Sequence, residues 1–188
     1  MSINLGYAFT GSFCTFRKSI DELKKLSEIY NIYPIMSETA YTTDTRFGRA
    51  IDFINEIENI CGKQVMHTIT DTEPIGPKKM LDILVISPCT ANTMGKIVNG
   101  IFDTSVTMAA KAHLRNGRPL LIAPATNDGL AISGKNISKL LVYKNIFLAP
   151  YGQDDAIKKP TSLVAHFDML PQAIELALEG KQITPTLI

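Results

Sequence analysis

Short apolar runs alternate along this chain with longer segments in which apolar residues recur every three to four positions. The runs Ile3–Phe9, Ile32–Ser37, Asp82–Ile86, Pro119–Ala123 and Asn145–Ala149 read as strands, and Val65–Ile69 as a brief further one. The first helix extends to about Tyr30, with Ile20, Leu23, Leu26, Ile29 and Tyr30 on one face. A second covers about Arg46 to Cys61 with Phe47, Ala50, Ile51, Ile54, Ile57 and Ile60 inward. Met94, Ile97, Val98 and Ile101 mark a third, and Val106, Met108, Ala109, Ala112 and Leu114 a fourth that Gly117 closes. Part of Asn127–Val142 is helical, and a terminal helix follows Asp168 through Ile174, Leu176, Ala177 and Leu178 to Gly180. Pro34 assigns the second strand to an edge or a strand start. Thr70–Pro77 reads as a turn-rich connector and Pro150–His166 as a long loop without periodicity; loops of that length are often functional. Strands alternating with helices predict an α/β fold, a parallel sheet with helices on both faces.

The chemistry gathers where strands hand over to helices. In Ser87–Asp103, SPCTANTMGKIVNGIFD, Pro88 ends a buried strand and Thr90 or Asn92 caps the next helix. Unpaired N–H groups at such a helix start suit an anion. The dipole contributes only about 0.3–1 kcal/mol, so tight binding needs further donors. Thr10-Gly11-Ser12-Phe13-Cys14-Thr15, after the first strand, is the second anion-binding candidate, with Gly11 allowing close approach and Ser12 and Thr15 adding hydroxyls. The turn contains no G-x-G-x-x-G, so the dinucleotide fingerprint is absent.

Composition narrows the classes. The 188 residues, 45% hydrophobic, suffice for one substantial core. Nineteen basic and 18 acidic side chains leave a net charge of +1, which provides no global field for nucleic acid or an anionic membrane. No apolar stretch approaches a membrane span and no basic leader opens the chain, so a cytoplasmic protein is expected. Cys14, Cys61 and Cys89 are odd in number and widely spaced, which argues against a disulfide framework or a structural metal site; Cys61 reads as packing, while Cys14 and Cys89 fall in loops after strands where they are either half-buried fillers or close to a ligand. His113 reads as a surface residue.

Pro88-Cys89-Thr90-Ala91-Asn92-Thr93, with Lys96 and Gly100-Ile101-Phe102-Asp103, resembles the P-x-[ST]-A-N-T…K…G-I-x-D signature of the homo-oligomeric flavoprotein superfamily of cysteine decarboxylases and flavin prenyltransferases. Thr10-Gly11-Ser12 fits the same pattern, and Pro124-Ala125-Thr126-Asn127 stands where relatives carry P-x-M-N, with Thr126 replacing the methionine. Within that superfamily the chain resembles the dipicolinate synthase B subunits of spore-forming bacteria. The likeness runs through Tyr33–Ser37, Thr42–Gly48, Val106–Ala112, Leu114–Pro119, Gly152–Asp155, Lys159-Pro160, Ser162–His166 and Glu179–Ile183.

The resemblance implies a single Rossmann-like (flavodoxin-like) domain over residues 1–188, with 150–166 as a functional loop and 167–180 as the terminal helix. It implies FMN bound through Gly11, Ser12, Phe13, Ser37, Pro88, Thr90, Ala91, Asn92, Thr93 and Asn127, with the ring towards Asn92, Pro124 and Asn127. It further implies a partner A subunit carrying NADP, oxidation of dihydrodipicolinate in the mother cell of a sporulating bacterium, and a trimer or dodecamer of the chain itself. A dicarboxylate substrate calls for cations, for which Arg46, Lys159 and His166 are the candidates. Decarboxylase relatives place a catalytic histidine at the start of the helix after strand two; Tyr41–Arg49 contains none, so that chemistry does not carry over. An activating subunit with a vestigial flavin cradle and an FMN-dependent decarboxylase are the alternatives.

Overall fold

The computed structural model describes residues 3–188. Its strands are β1 (Asn4–Phe9), β2 (Asn31–Met36), β3 (Ile83–Cys89), β4 (Leu120–Thr126), β5 (Ile146–Leu148), β6 (Tyr151–Asp155) and β7 (Lys159–Ala165). The helices are α1 (Phe16–Ser27), α2 (Glu38–Thr42), α3 (Ala50–Cys61), α4 (Ile69–Thr72), α5 (Ala91–Val98), α6 (Ser105–Leu114), α7 (Gly134–Leu140) and α8 (Leu170–Leu178). The strands form one seven-stranded sheet in the order β2-β1-β3-β4-β7-β6, with β5 also paired to β4. Pairings among β1 to β5 are parallel, as the strand–helix alternation predicts. β2 is the edge strand, which is where Pro34 costs no ladder hydrogen bond.

The period-two rule of strands sorts the core onto two faces. Leu5, Tyr7, Phe9, Ile83, Val85 and Leu121 pack with α1, α3 and α8. Ala8, Leu84, Ile86, Leu120 and Ile122 pack with α5, α6 and α7. Each large apolar side chain so buried contributes about 1.5–3 kcal/mol. One polar knot lies within the first face: the Tyr7 hydroxyl is 2.9 Å from Ser19 Oγ and 3.1 Å from Ser87 Oγ, and Ser19 Oγ donates to the Ser87 carbonyl at 2.7 Å. It joins β1, α1 and β3 directly beneath the ends of the strands, and burial pushes the Tyr7 phenol well above its ordinary pKa.

The segment expected as a loop at 150–166 is instead the antiparallel hairpin β6–β7. At its tip, Asp155 Oδ1 accepts from the N–H groups of Ile157 and Lys158 at 3.1 and 2.9 Å, an Asx turn that closes the two strands. β4 makes the hairpin possible. Its first half pairs with β5, and its last residues, Ala125 and Thr126, pair antiparallel with Val164 and Leu163. The hairpin therefore branches from the carboxyl end of the sheet, beside the strand-to-helix turns.

Other expectations shift at element ends. The α3 helix starts at Ala50, leaving Phe47 half-exposed, and α5 stops at Val98, leaving Ile101 outside it. Ile29 and Ile51, expected inward, are exposed. The α4 helix, begun by a capping box of Thr68 and Asp71, runs from Ile69 into the expected Thr70–Pro77 connector, and the strand expected at Val65–Ile69 is reduced to one bridge, Ile35 to Met66. His113, expected on the surface, is buried with Nε2 donating to the Pro119 carbonyl at 2.9 Å. No helix among the described residues is long and apolar enough to cross a membrane.

Candidate functional site

In a sheet ordered β2-β1-β3-β4, the crevice beyond the carboxyl ends lies between β1 and β3, where the winding reverses direction. The turn after β1 and the start of α5 meet there. Thr10 binds them together: its N–H and its hydroxyl both donate to the Pro88 carbonyl, at 3.2 and 2.8 Å, and its Oγ1 accepts from the Thr90 N–H at 2.9 Å. Thr90 in turn caps α5 by accepting from the Thr93 N–H. The N–H groups of Ala91 and Asn92, in the first turn of α5, have no intrahelical acceptor.

These elements wall a cleft of about 490 Å³. One side is Gly11–Thr15, the floor is Thr90, Ala91 and Asn92, and the far side is Ala125, Thr126 and Asn127 together with Ser162, Leu163 and Val164 of the hairpin. Arg46 and Phe47 approach from the turn before α3, and Asp154 and Lys159 from the hairpin. The volume falls within the range of small-molecule sites. Asp154 is the one carboxylate on the wall among the described residues, and it is paired with Lys159.

Of the residues singled out for the cofactor, Gly11, Ser12, Phe13, Thr90, Ala91, Asn92 and Asn127 line the cleft. Ser37, Pro88 and Thr93 do not, and each has a structural occupation. Ser37 is buried and caps α2 by accepting from Ala40 N–H at 3.2 Å, while its own N–H donates to the Phe9 carbonyl. Pro88 is engaged through its carbonyl with Thr10. Thr93 is buried, its hydroxyl 3.2 Å from Thr90 Oγ1. Thr15 lines the cleft, yet its hydroxyl donates to the Ser12 carbonyl at 2.8 Å. Arg46 and Lys159 reach the cleft, whereas His166 lies in a separate depression with Lys18, Glu22 and Asp168. The signature pair Lys96 and Asp103 bind each other at 2.7 Å, away from the cleft.

One residue that shapes the site carries no mark in the sequence patterns, Asp128. It accepts from Thr126 Oγ1 and, at 2.7 Å, from Ser133 Oγ, and these bonds hold its carboxyl below the usual range. Asp128 thereby shapes the turn in which Thr126 stands where relatives carry methionine. That turn is stitched to the hairpin by Thr161 Oγ1 donating to the Asn127 carbonyl at 2.7 Å. Of the cysteines, burial pushes the Cys61 thiol up to about 12 and the Cys89 thiol higher still, while Cys14 is exposed at the cleft.

The sequence matches the flavoprotein family over residues 1–169. It is 42% identical over 185 residues to the B subunit of dipicolinate synthase from Bacillus subtilis, covering 98% of this chain and 92% of that one. The crystal structure of the B subunit of dipicolinate synthase from Bacillus halodurans superposes with a TM-score of 0.90 at 41% identity, over 99% of this chain and 96% of that one. A more distant likeness in fold, at 19% identity and a TM-score of 0.70, covers 95% of this chain and 96% of Burkholderia xenovorans DmrB, a cubic protein cage for redox transfer solved with FMN. The match to the family extends from β1 through the hairpin, across every wall of the cleft, and the chain belongs to the flavoprotein family.

Proposed function

We propose that this protein is the flavin-binding B subunit of a dipicolinate synthase, acting with an A subunit that carries NADP to oxidise dihydrodipicolinate to dipicolinate during sporulation. The observation that supports it most directly is the convergence of the Gly11–Thr15 turn and the α5 start, locked by Thr10, on one cleft of mononucleotide size. The residues suit FMN. A phosphate would meet the backbone around Gly11 and Ser12, the hydroxyls of Ser12 and Thr90, and the free N–H groups of Ala91 and Asn92. The isoalloxazine would lie towards Asn92 and Asn127, against the apolar wall of Ala125, Leu163 and Val164. When bound, the flavin supplies a two-electron acceptor; the chain's own residues hold it, orient the substrate beside it and limit water through the hairpin.

Oxidation of the dihydropyridine ring removes one hydride and one proton, and NADP on the A subunit is the final electron acceptor in this reading. Homo-oligomers of the chain, trimers or dodecamers, and a place in the mother-cell cytoplasm belong to the same proposal. The decarboxylase alternative is disfavoured because no histidine lines the cleft among the described residues.

The test is flavin binding followed by reconstitution. FMN added to the purified chain is expected to show quenched fluorescence and saturable binding. Asn92→Asp, which sets a carboxylate at the α5 start, is expected to weaken binding roughly tenfold or more, equivalent to about 1.4 kcal/mol. Dihydrodipicolinate oxidation is expected from the two subunits together and from neither alone. No flavin binding, with full activity restored by the flavin-free chain, would assign it the activating role instead.

A further inference from the structure

We propose that Arg46, with Phe47 beside it, is the residue pair that recognises the substrate, and that the matching chemistry is a carboxylate carried on a planar ring. This rests on the proposed function for the identity of the cleft and adds the group that selects its ligand.

Three cations are candidates for a carboxylate, and the structure separates them. His166 faces the other depression, across the hairpin. Lys159 reaches the cleft but is held by Asp154 of the same hairpin. Arg46 reaches the cleft and takes part in no ion pair among the described residues, its guanidinium lying 4.9 Å over the Phe47 ring. Its neighbour Arg49 is different: Nη2 lies 2.7 Å from Asp52 Oδ1 and Nε donates to Oδ2 at 2.9 Å. Of the two arginines on this turn, one is neutralised locally and the other is presented to the cleft.

The turn that presents it is built. Thr45 and Gly48 exchange backbone hydrogen bonds at 3.0 and 3.1 Å, and the Phe47 N–H donates to Thr45 Oγ1 at 3.1 Å. Asp44 Oδ1 accepts from the Ala50 N–H at 2.8 Å, fixing the turn to the start of α3. Gly48 has a φ of 150°, and a Cβ there would fall 2.8 Å from the Phe53 ring, so the turn closes tightly over the core. A prearranged turn lowers the ordering cost of binding at its tip.

The two side chains at that tip offer complementary chemistry. A guanidinium is a planar fork that grips a carboxylate through two parallel N–H bonds, which an ammonium cannot do. Phe47, 46% exposed, leaves an apolar face at the mouth of the cleft against which a flat ring stacks. Across the cleft the Asn127 amide is the polar partner for the rest of such a ligand, since the Thr126 hydroxyl donates to Asp128 and the Ser162 hydroxyl to the Thr126 carbonyl.

The experiment titrates the FMN-loaded chain with pyridine-2,6-dicarboxylate and, separately, the flavin-free chain with FMN, for wild type, Arg46→Gln, Arg46→Lys and Phe47→Leu. Arg46→Gln is expected to weaken the dicarboxylate roughly tenfold to a hundredfold, the loss of a charge-assisted bond, with FMN affinity unchanged. Arg46→Lys is expected to recover only part of the loss, and Phe47→Leu to weaken the dicarboxylate several-fold. Both positions are outside the core, and unchanged circular dichroism checks the fold. If Arg46→Gln binds the dicarboxylate as wild type does, or Arg46→Lys equals wild type, the assignment is overturned while the flavin reading of the cleft stands. An equal loss of FMN would place Arg46 on the flavin phosphate and also overturn it. A wild-type chain that binds FMN but no ring dicarboxylate would remove the substrate reading and this inference together.

Discussion

Thr10 uses its hydroxyl twice, donating to the carbonyl of Pro88 and accepting from the N–H of Thr90, and these bonds set the two halves of the cleft in register. Each such bond contributes only about 0.5–1.5 kcal/mol net, so its weight lies in geometry more than in stability. His113 shows the reverse balance. It sits at the end of α6, buried against Pro119, and burial pushes its pKa down to about 4 from an ordinary 6.5. Between those values the unfolded chain binds the proton and the folded chain does not, so stability is complete above about pH 6.5 and falls as pH drops towards 4. The expected loss is about 2 kcal/mol at pH 5, and His113→Gln should flatten this limb in urea melts taken from pH 7 to pH 5. A wild-type limb identical to that of the variant would show that another group governs the acid response.

At the scale of elements, the hairpin β6–β7 defines the far wall of the cleft, and Gly152 governs how it is anchored. The Tyr151 N–H donates to the Thr186 carbonyl at 2.9 Å, and the Ile188 N–H donates to the Tyr151 carbonyl at 3.1 Å. A Cβ on Gly152 would land on the backbone oxygen of Ile188, closer than any real contact allows. Gly152→Ala is therefore expected to displace residues 186–188 at a cost of about 1–3 kcal/mol. Faster amide exchange at Tyr151 and Ile188, with β1 and β3 still protected, is the signature to seek; unchanged exchange would show that the segment accommodates the methyl. The same element marks where periodicity misleads. Exposed Gln153, Asp154, Lys159 and Pro160 interrupt the apolar alternation because only the half of the hairpin next to β4 is buried.

For the whole molecule, the two-faced sheet accounts for the large apolar core, yet Ile132, Val142 and Ile157 remain 72%, 80% and 92% exposed. Isolated exposed apolar side chains are ordinary, and these are no map of an interface. The expected assembly comes from the flavoprotein resemblance. Sedimentation of the purified chain should give a mass three or twelve times 20.7 kDa. A monomer at micromolar concentration would contradict that expectation and leave the cleft to be completed within one chain or by the A subunit.

Local order was legible in the residues alone. Strand and helix alternation announced a parallel sheet, Pro34 an edge strand, and the Thr-Gly-Ser turn and the Thr90–Asn92 helix start two strand-to-helix turns, because each depends on periodicity or on backbone groups a few positions apart. The third dimension alone settled which of those ends share a cavity, that Ser37 and Thr93 are taken up in helix capping while Asn92 faces the cleft, that His113 is buried, and that Arg46 and Lys159, unlike His166, line the cleft. The physical reason is one of range. Capping and amphipathic burial are decided within one or two turns of chain, whereas a side chain's access to a cleft depends on packing against residues some eighty positions away, such as Thr10 against Pro88 and Thr90.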